Sequence, residues 1–157
     1  MKLTQSALDA LVGKNIVTIC PHKYVGKNNC AHFVAHVLGL QVGVLCNLKN
    51  TKEKERVSIR VNDIYNSLAD TGLWIQKPHI REDQNLLIFV TSAKHIDAND
   101  RMNDHPQKHV GIYVGDKVYN YSNGHHRVVR ETVEHFFQKC DAAYDGEDIT
   151  LYYGVVG

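Results

Sequence analysis

Cys30 opens the string CAHFVAHVLGL, and His109, 79 positions later (109 − 30 = 79), opens HVGIYVGDKVYNYS. A thiol ahead of an apolar helix and an imidazole at the head of a strand, in that chain order, are the two parts of a thiolate nucleophile and its base. A free thiol is only a few per cent ionised near neutral pH, so its use depends on where the chain puts it. The first turn of a helix favours the thiolate, because unpaired backbone N–H groups and the positive end of the dipole meet it there, the dipole contributing about 0.3–1 kcal/mol. Those N–H groups also suit an oxyanion. The amide of Cys30 is the natural donor to a tetrahedral acyl-transfer intermediate, where loss of one donor typically costs about 10²–10³ in rate.

The elements that must position this pair can be read on either side of it. After Cys30, the residues Phe33, Val34, Val37 and Leu38 recur at helical spacing and Gly39 is a natural stop. Val110, Ile112 and Val114 alternate with His109, Gly111 and Tyr113, which sets the histidine on the face opposite the branched residues. Gly111 leaves room beside the ring, for close backbone approach or for a substrate path. The turn GDK at 115–117 leads to a second strand in which Asn120 can approach His109, accept its ring N–H and fix its tautomer, completing a Cys-His-Asn set.

Taken together, NNCAHFV, HVGIYVG and a polar residue eleven positions after the histidine resemble the NlpC-type and CHAP-type papain-like cysteine peptidases and amidases, with a further partial match at LLIFVTS. The resemblance covers the cysteine helix and the hairpin from His109 to Ser122. It implies an α+β fold of papain-like type, in which an antiparallel sheet packs against an N-terminal helix bearing the catalytic cysteine. It further implies hydrolysis of amide bonds in peptidoglycan stem peptides, with Cys30 as nucleophile, His109 as base and Asn120 as orienting residue. Tyr24 is implied at the oxyanion site, and Ala31 and Gly111 are the other candidates on the oxyanion and substrate side. The chain departs from the family pattern at three places: Asn29-Cys30-Ala31-His32 stands for Asp-Cys-Ser-Gly, Gln84-Asn85 for Gly-Asp, and Asn120 for the frequent third-position His. Type VI secretion amidase effectors, which are short and similarly divergent, resemble the chain in length as well. For such a toxin, a partner immunity protein that blocks the site belongs to the same expectation.

Length and composition suit one domain over residues 1–157, long enough for a substantial core. A net charge of +1 gives no field for nucleic acid. The mixed-sign run Lys49–Arg60 reads as a solvated loop or helix face. The first fifteen residues lack the apolar core and cleavage site of a secretory signal, and no stretch is long enough to span a membrane. Synthesis in the cytoplasm is expected, with action on a cell wall after delivery by a secretion system, export without a cleaved signal, or lysis.

Further elements are expected as helices near Gln5–Val12, capped by Thr4, at Val61–Ala69 and at Thr132–Lys139. Strands are expected at Leu86–Thr91, Val110–Val114, Lys117–Tyr121 and Ile149–Val155. Residues 93–108, rich in Asp and Asn, read as a mobile loop bordering His109. Cys20, Cys46 and Cys140 read as reduced thiols, since irregular spacing without a signal sequence makes no disulfide framework. Ten histidines raise the question of a metal. His32 and His36 share a helical face, but Phe33 occupies the place of the glutamate in a zinc-protease motif, so no metal or cofactor is expected and the pair is read as flanking the cleft.

Three classes of function fit these residues. One is the peptidoglycan amidase or endopeptidase, working through a thioester acyl-enzyme. A second turns the same residues on another carbonyl, as a protein-directed protease or deamidase toxin or an acyltransferase. A third is a wall-binding module without turnover, which needs no Cys-His-Asn set. An acidic or aromatic cleft, with Trp74 and Tyr113 as its aromatic candidates, suits a peptide, and a deep apolar tunnel suits an acyl chain.

Overall fold

The computed structural model describes residues 2–21, 25–26, 28–46 and 56–157. Four helices come first: α1 (Gln5–Asp9), α2 (Ile16–Ile19), α3 (Cys30–Leu38) and α4 (Val61–Ser67). The strands β1 (Thr71–Leu73), β2 (Asn85–Ser92), β3 (Lys108–Val114), β4 (Lys117–Ser122) and β5 (Arg127–Glu131) follow, then α5 (Val133–Ala143) and β6 (Ile149–Val156). All six strands form one antiparallel sheet in the order β1-β6-β2-β3-β4-β5. The fold is therefore α+β. Among the described residues no helix is long and apolar enough to cross a membrane.

The central strands are buried on both faces, and period-two alternation sorts their side chains between two cores. Leu87, Phe89, Val110, Ile112, Tyr119 and Tyr121 pack with Leu8, Ile16, Phe33, Val34, Ile64 and Tyr65, so α1 to α4 cover one face. Ile88, Val90 and Val118 meet Phe136 and Cys140 of α5 on the other. α3 is helical because its apolar stripe has a core to face. It ends at Gly39, whose φ of 68° is the left-handed conformation that closes a helix with little steric penalty. Thr132 caps α5, accepting the His135 N–H at 3.1 Å, and Phe136 and Cys140, one turn apart, point inward.

Several expectations shift. α1 stops at Asp9, with Thr4 capping it as predicted. α2, β1 and β5 lie where the sequence offered no element: each is at most five residues long, β1 is held by the distant β6, and β5 is the hairpin partner of β4. Gly13 and Lys14 bond Val128, which covers the outer edge of β5. Residues 93–108 are tied down rather than mobile. Tyr65 and Thr71 donate to the Asp100 carboxylate, and Asn66 exchanges hydrogen bonds of 2.8 Å with the Met102 backbone in both directions. Most of the Lys49–Arg60 run lies outside the described residues; its end is no solvated face, because Val57 and Ser58 are buried and the Ser58 hydroxyl donates to the Val42 carbonyl at 2.7 Å.

Candidate active site

α3 directs its first turn at the start of β3. The loop ahead of it is fastened to the β4–β5 turn: the Asn29 N–H donates to Asn123 Oδ1 at 2.9 Å, and Asn123 Nδ2 donates to Asn28 Oδ1 at 2.7 Å. Asn29 also folds its own loop, bonding both the N–H and the carbonyl of Gly26 at 3.1 Å. With loop and hairpin joined in this way, Cys30 and His109 come close enough for each to bear on the other's charge, at 1% and 7% exposure.

Burial raises the Cys30 thiol, but the positive charge and hydrogen bond of His109, with the backbone N–H groups of Val110 and Ala31, outweigh it and leave its pKa below the ordinary value. His109 shows the reciprocal effect. Burial lowers it, yet the charge and hydrogen bond of Cys30 and the hydrogen bond to Asn120 raise its pKa on balance. Each group favours the charged form of the other, so thiolate and imidazolium form a coupled pair.

His109 Nε2 lies 3.0 Å from Asn120 Oδ1. The tautomer follows from the next link. Asn120 Nδ2 donates to Glu131 Oε1 at 2.8 Å, which turns the amide so that its oxygen faces the ring. His109 Nε2 therefore carries a hydrogen and donates it, leaving Nδ1 to address the thiol. The β3–β4 register, Ile112 opposite Tyr119, brings Gly111 opposite Asn120 by continuation, so His109 and Asn120 are diagonal neighbours. A Cβ on Gly111 would stand 2.6 Å from Val118 Cγ1 and 3.2 Å from Asn120 Cβ. Gly111 thus serves close approach of β4, and the space beside it is filled rather than open as a substrate path.

Sequence reasoning missed the outer links. Glu131, 7% exposed, takes the Asn120 amide, the Lys139 ammonium and, at 2.8 Å, His135 Nδ1. Burial raises its carboxyl, but the bonds from Lys139 and Asn120 and the charges of Lys139 and His135 hold it below the usual carboxylate range. Lys139 also donates to Asn120 Oδ1 at 3.2 Å. The one usable signal was the spacing Glu131, His135, Lys139 across the start of a capped helix, at i, i+4 and i+8.

A cleft of about 360 Å³ opens beside His109, lined by Pro106, Ser122, Asn123, His125, Lys139 and Tyr144 among others. Trp74 and Tyr113 are elsewhere. They pack edge to face, 4.9 Å between centroids, with Tyr113 at the opposite end of β3 from His109. His32 and His36 do not line the cleft either, and Tyr24 lies outside the described residues. Ala31 is buried in the first turn, with its N–H on the sulfur.

This site and fold were compared with known proteins. No family model matches the chain, and neither the curated proteins nor the solved structures contain a significant match.

Proposed function

We propose that this protein is a papain-like cysteine amidase or endopeptidase that hydrolyses amide bonds in bacterial peptidoglycan stem peptides. The observation that carries the reading is the chain of contacts from Cys30 through His109 and Asn120 to Glu131, in which the thiolate is favoured despite burial. The Cys30 thiolate attacks the carbonyl carbon, and the tetrahedral oxyanion is held by backbone N–H groups at the start of α3. His109 gives its proton to the leaving amine as the thioester forms. It then takes a proton from the water that hydrolyses the thioester, and Cys30 is released.

The cleft is neither acidic nor built on Trp74 and Tyr113, and its lining is mainly apolar around Ser122, Asn123, His125 and Lys139, so the peptide reading rests on the Cys30–His109–Asn120 contacts rather than on the cleft. The Cys-helix-then-His-hairpin order and the antiparallel sheet support the papain-like reading of the fold.

The test is mass spectrometry of purified peptidoglycan fragments incubated with the wild-type chain and with Cys30→Ala. New peptide termini produced by the wild type alone are the expected result and identify the bond. Intact fragments across all stem-peptide types, from a folded enzyme whose Cys30 still alkylates, would overturn the cell-wall substrate and leave a protein-directed hydrolase as the reading to pursue.

A further inference from the structure

The opposite side of α3 carries a second convergence of chemically capable side chains. Cys20 closes α2, His32 and His36 stand one turn apart on α3, and Cys46 follows the short pairing of Leu45 with Ser58. One ligand atom from each lies within 4.8 Å of all the others. Cys20, His32 and Cys46 are 2%, 0% and 0% exposed, and His36 is half-buried.

We infer that Cys20, His32, His36 and Cys46 form a structural tetrahedral site for a divalent metal ion, with zinc as its natural occupant. Two thiolates and two imidazoles are a donor set that selects zinc among the common divalent cations, and four protein ligands leave no open coordination position. The geometry fits. Metal–nitrogen bonds near 2.0–2.1 Å and metal–sulfur bonds near 2.3 Å put tetrahedral ligands about 3.3 to 3.8 Å apart. His32 Nε2 and His36 Nε2 face each other at 3.1 Å, and the Cys20 and Cys46 sulfurs lie within 4.8 Å of each other and of both rings.

The surroundings orient the ligands as a metal requires. His32 Nδ1 lies 3.4 Å from Asn29 Oδ1; an N–H there leaves the Nε2 lone pair aimed into the cluster. The Val57 N–H donates to Cys46 Sγ at 3.4 Å, a contact that stabilises a thiolate. The spacing of the four residues resembles no zinc-protease motif, and a closed set has no place for a metal-bound water, so the role is to hold structure. Asn29 makes the connection to chemistry: it contacts His32 on one side, fastens the loop to Asn123 on the other, and immediately precedes Cys30.

The test uses the folded 157-residue chain with Zn²⁺ and with Co²⁺ as a spectroscopic probe. Metal content should reach one ion per chain. X-ray absorption of the zinc form should give two sulfur and two nitrogen neighbours, and the cobalt form the intense visible bands of a tetrahedral ion with thiolate charge transfer. Cys30→Ser should leave stoichiometry and spectra unchanged, whereas Cys46→Ser should weaken binding by about a hundredfold or more. A folded wild-type chain that binds neither ion, a six-coordinate oxygen-rich spectrum, or a shell with fewer than two sulfurs would overturn the site. The wild-type sulfur count decides even if Cys46→Ser fails to fold. None of these readouts involves turnover, so the result stands apart from the fate of the amidase reading.

Discussion

Cys30 and Cys140 are both buried and close enough to influence each other's charge, yet their surroundings drive them in opposite directions. Burial pushes the Cys140 thiol up to about 12, and the nearby Lys139 ammonium does not offset it. Cys30 is buried more deeply and still falls below its ordinary value, because His109 and two backbone N–H groups address its sulfur. Desolvation is common to both sites, so burial does not distinguish a lowered thiol from a raised one. Donors aimed at the sulfur do, and they come from a helix start and a strand start that the fold brings together.

The largest expected effect comes from removing the donor that separates the two thiols. In His109→Ala, Cys30 keeps its burial but loses the imidazolium, so its pKa should rise to or above the ordinary thiol value of about 8.5. Iodoacetamide labelling near pH 6.5, read by peptide mapping, should mark Cys30 and not Cys140 in the wild type, and should nearly vanish in the variant. The corresponding loss in kcat/KM is roughly 10³-fold or more, at the upper end for a general acid–base. Equal labelling of Cys140 in the wild type would break the comparison outright.

A smaller effect is expected one link outward. Asn120→Ala leaves both reacting groups in place but removes the acceptor that holds the His109 tautomer. We expect kcat to fall roughly tenfold to a hundredfold, the usual scale for an orienting partner, with KM little changed. A loss as large as that of His109→Ala would mean Asn120 does more than orient the ring.

How much of this was legible in the residues follows from the range of each interaction. The α3 stripe and the His109 alternation are local periodicities, and hairpin geometry alone carried Asn120 to His109. Glu131 was not legible: β5 shows exposed, buried, half-buried, exposed, buried, which is no strand alternation, and its carboxylate is recruited across the sheet by Asn120 and along α5 by Lys139. The cluster of Cys20, His32, His36 and Cys46 hid for a related reason, since two of its members sit outside regular elements. Gly111 was legible as a gap but not as to what filled it.

Filling that gap gives the next effect in size. The added methyl of Gly111→Ala meets Val118 Cγ1 at 2.6 Å and the Tyr119 carbonyl at 3.1 Å, so β4 must shift or the core must strain. Urea unfolding should show a loss of about 1–3 kcal/mol, the ordinary range for overpacking. Displacement of β4 also moves Asn120, so kcat should fall in the direction of Asn120→Ala while labelling of Cys30 persists. An unchanged kcat would show that the hairpin tolerates movement that the orienting role forbids.

The smallest effect concerns charge without shape. Glu131→Gln retains an oxygen to accept from Asn120 Nδ2, so the amide keeps facing His109, and kcat at the pH optimum should change by less than about tenfold. What changes is the balance around Lys139, whose ammonium lowers the His109 pKa and is neutralised in the wild type by Glu131. His109 is raised in the folded protein, so the thiolate–imidazolium pair is lost as pH rises through that value, and under the proposed function this loss is the expected alkaline limb of kcat/KM. Unmasking Lys139 lowers the His109 pKa, so this limb should move to lower pH. Lys139→Met removes the opposing charge and should move it to higher pH. Opposite shifts in the two variants are the signature of an electrostatic arm acting through Asn120; matching shifts, or none, would reduce Glu131 to a packing partner of the amide and place all control of the pair within Cys30 and His109.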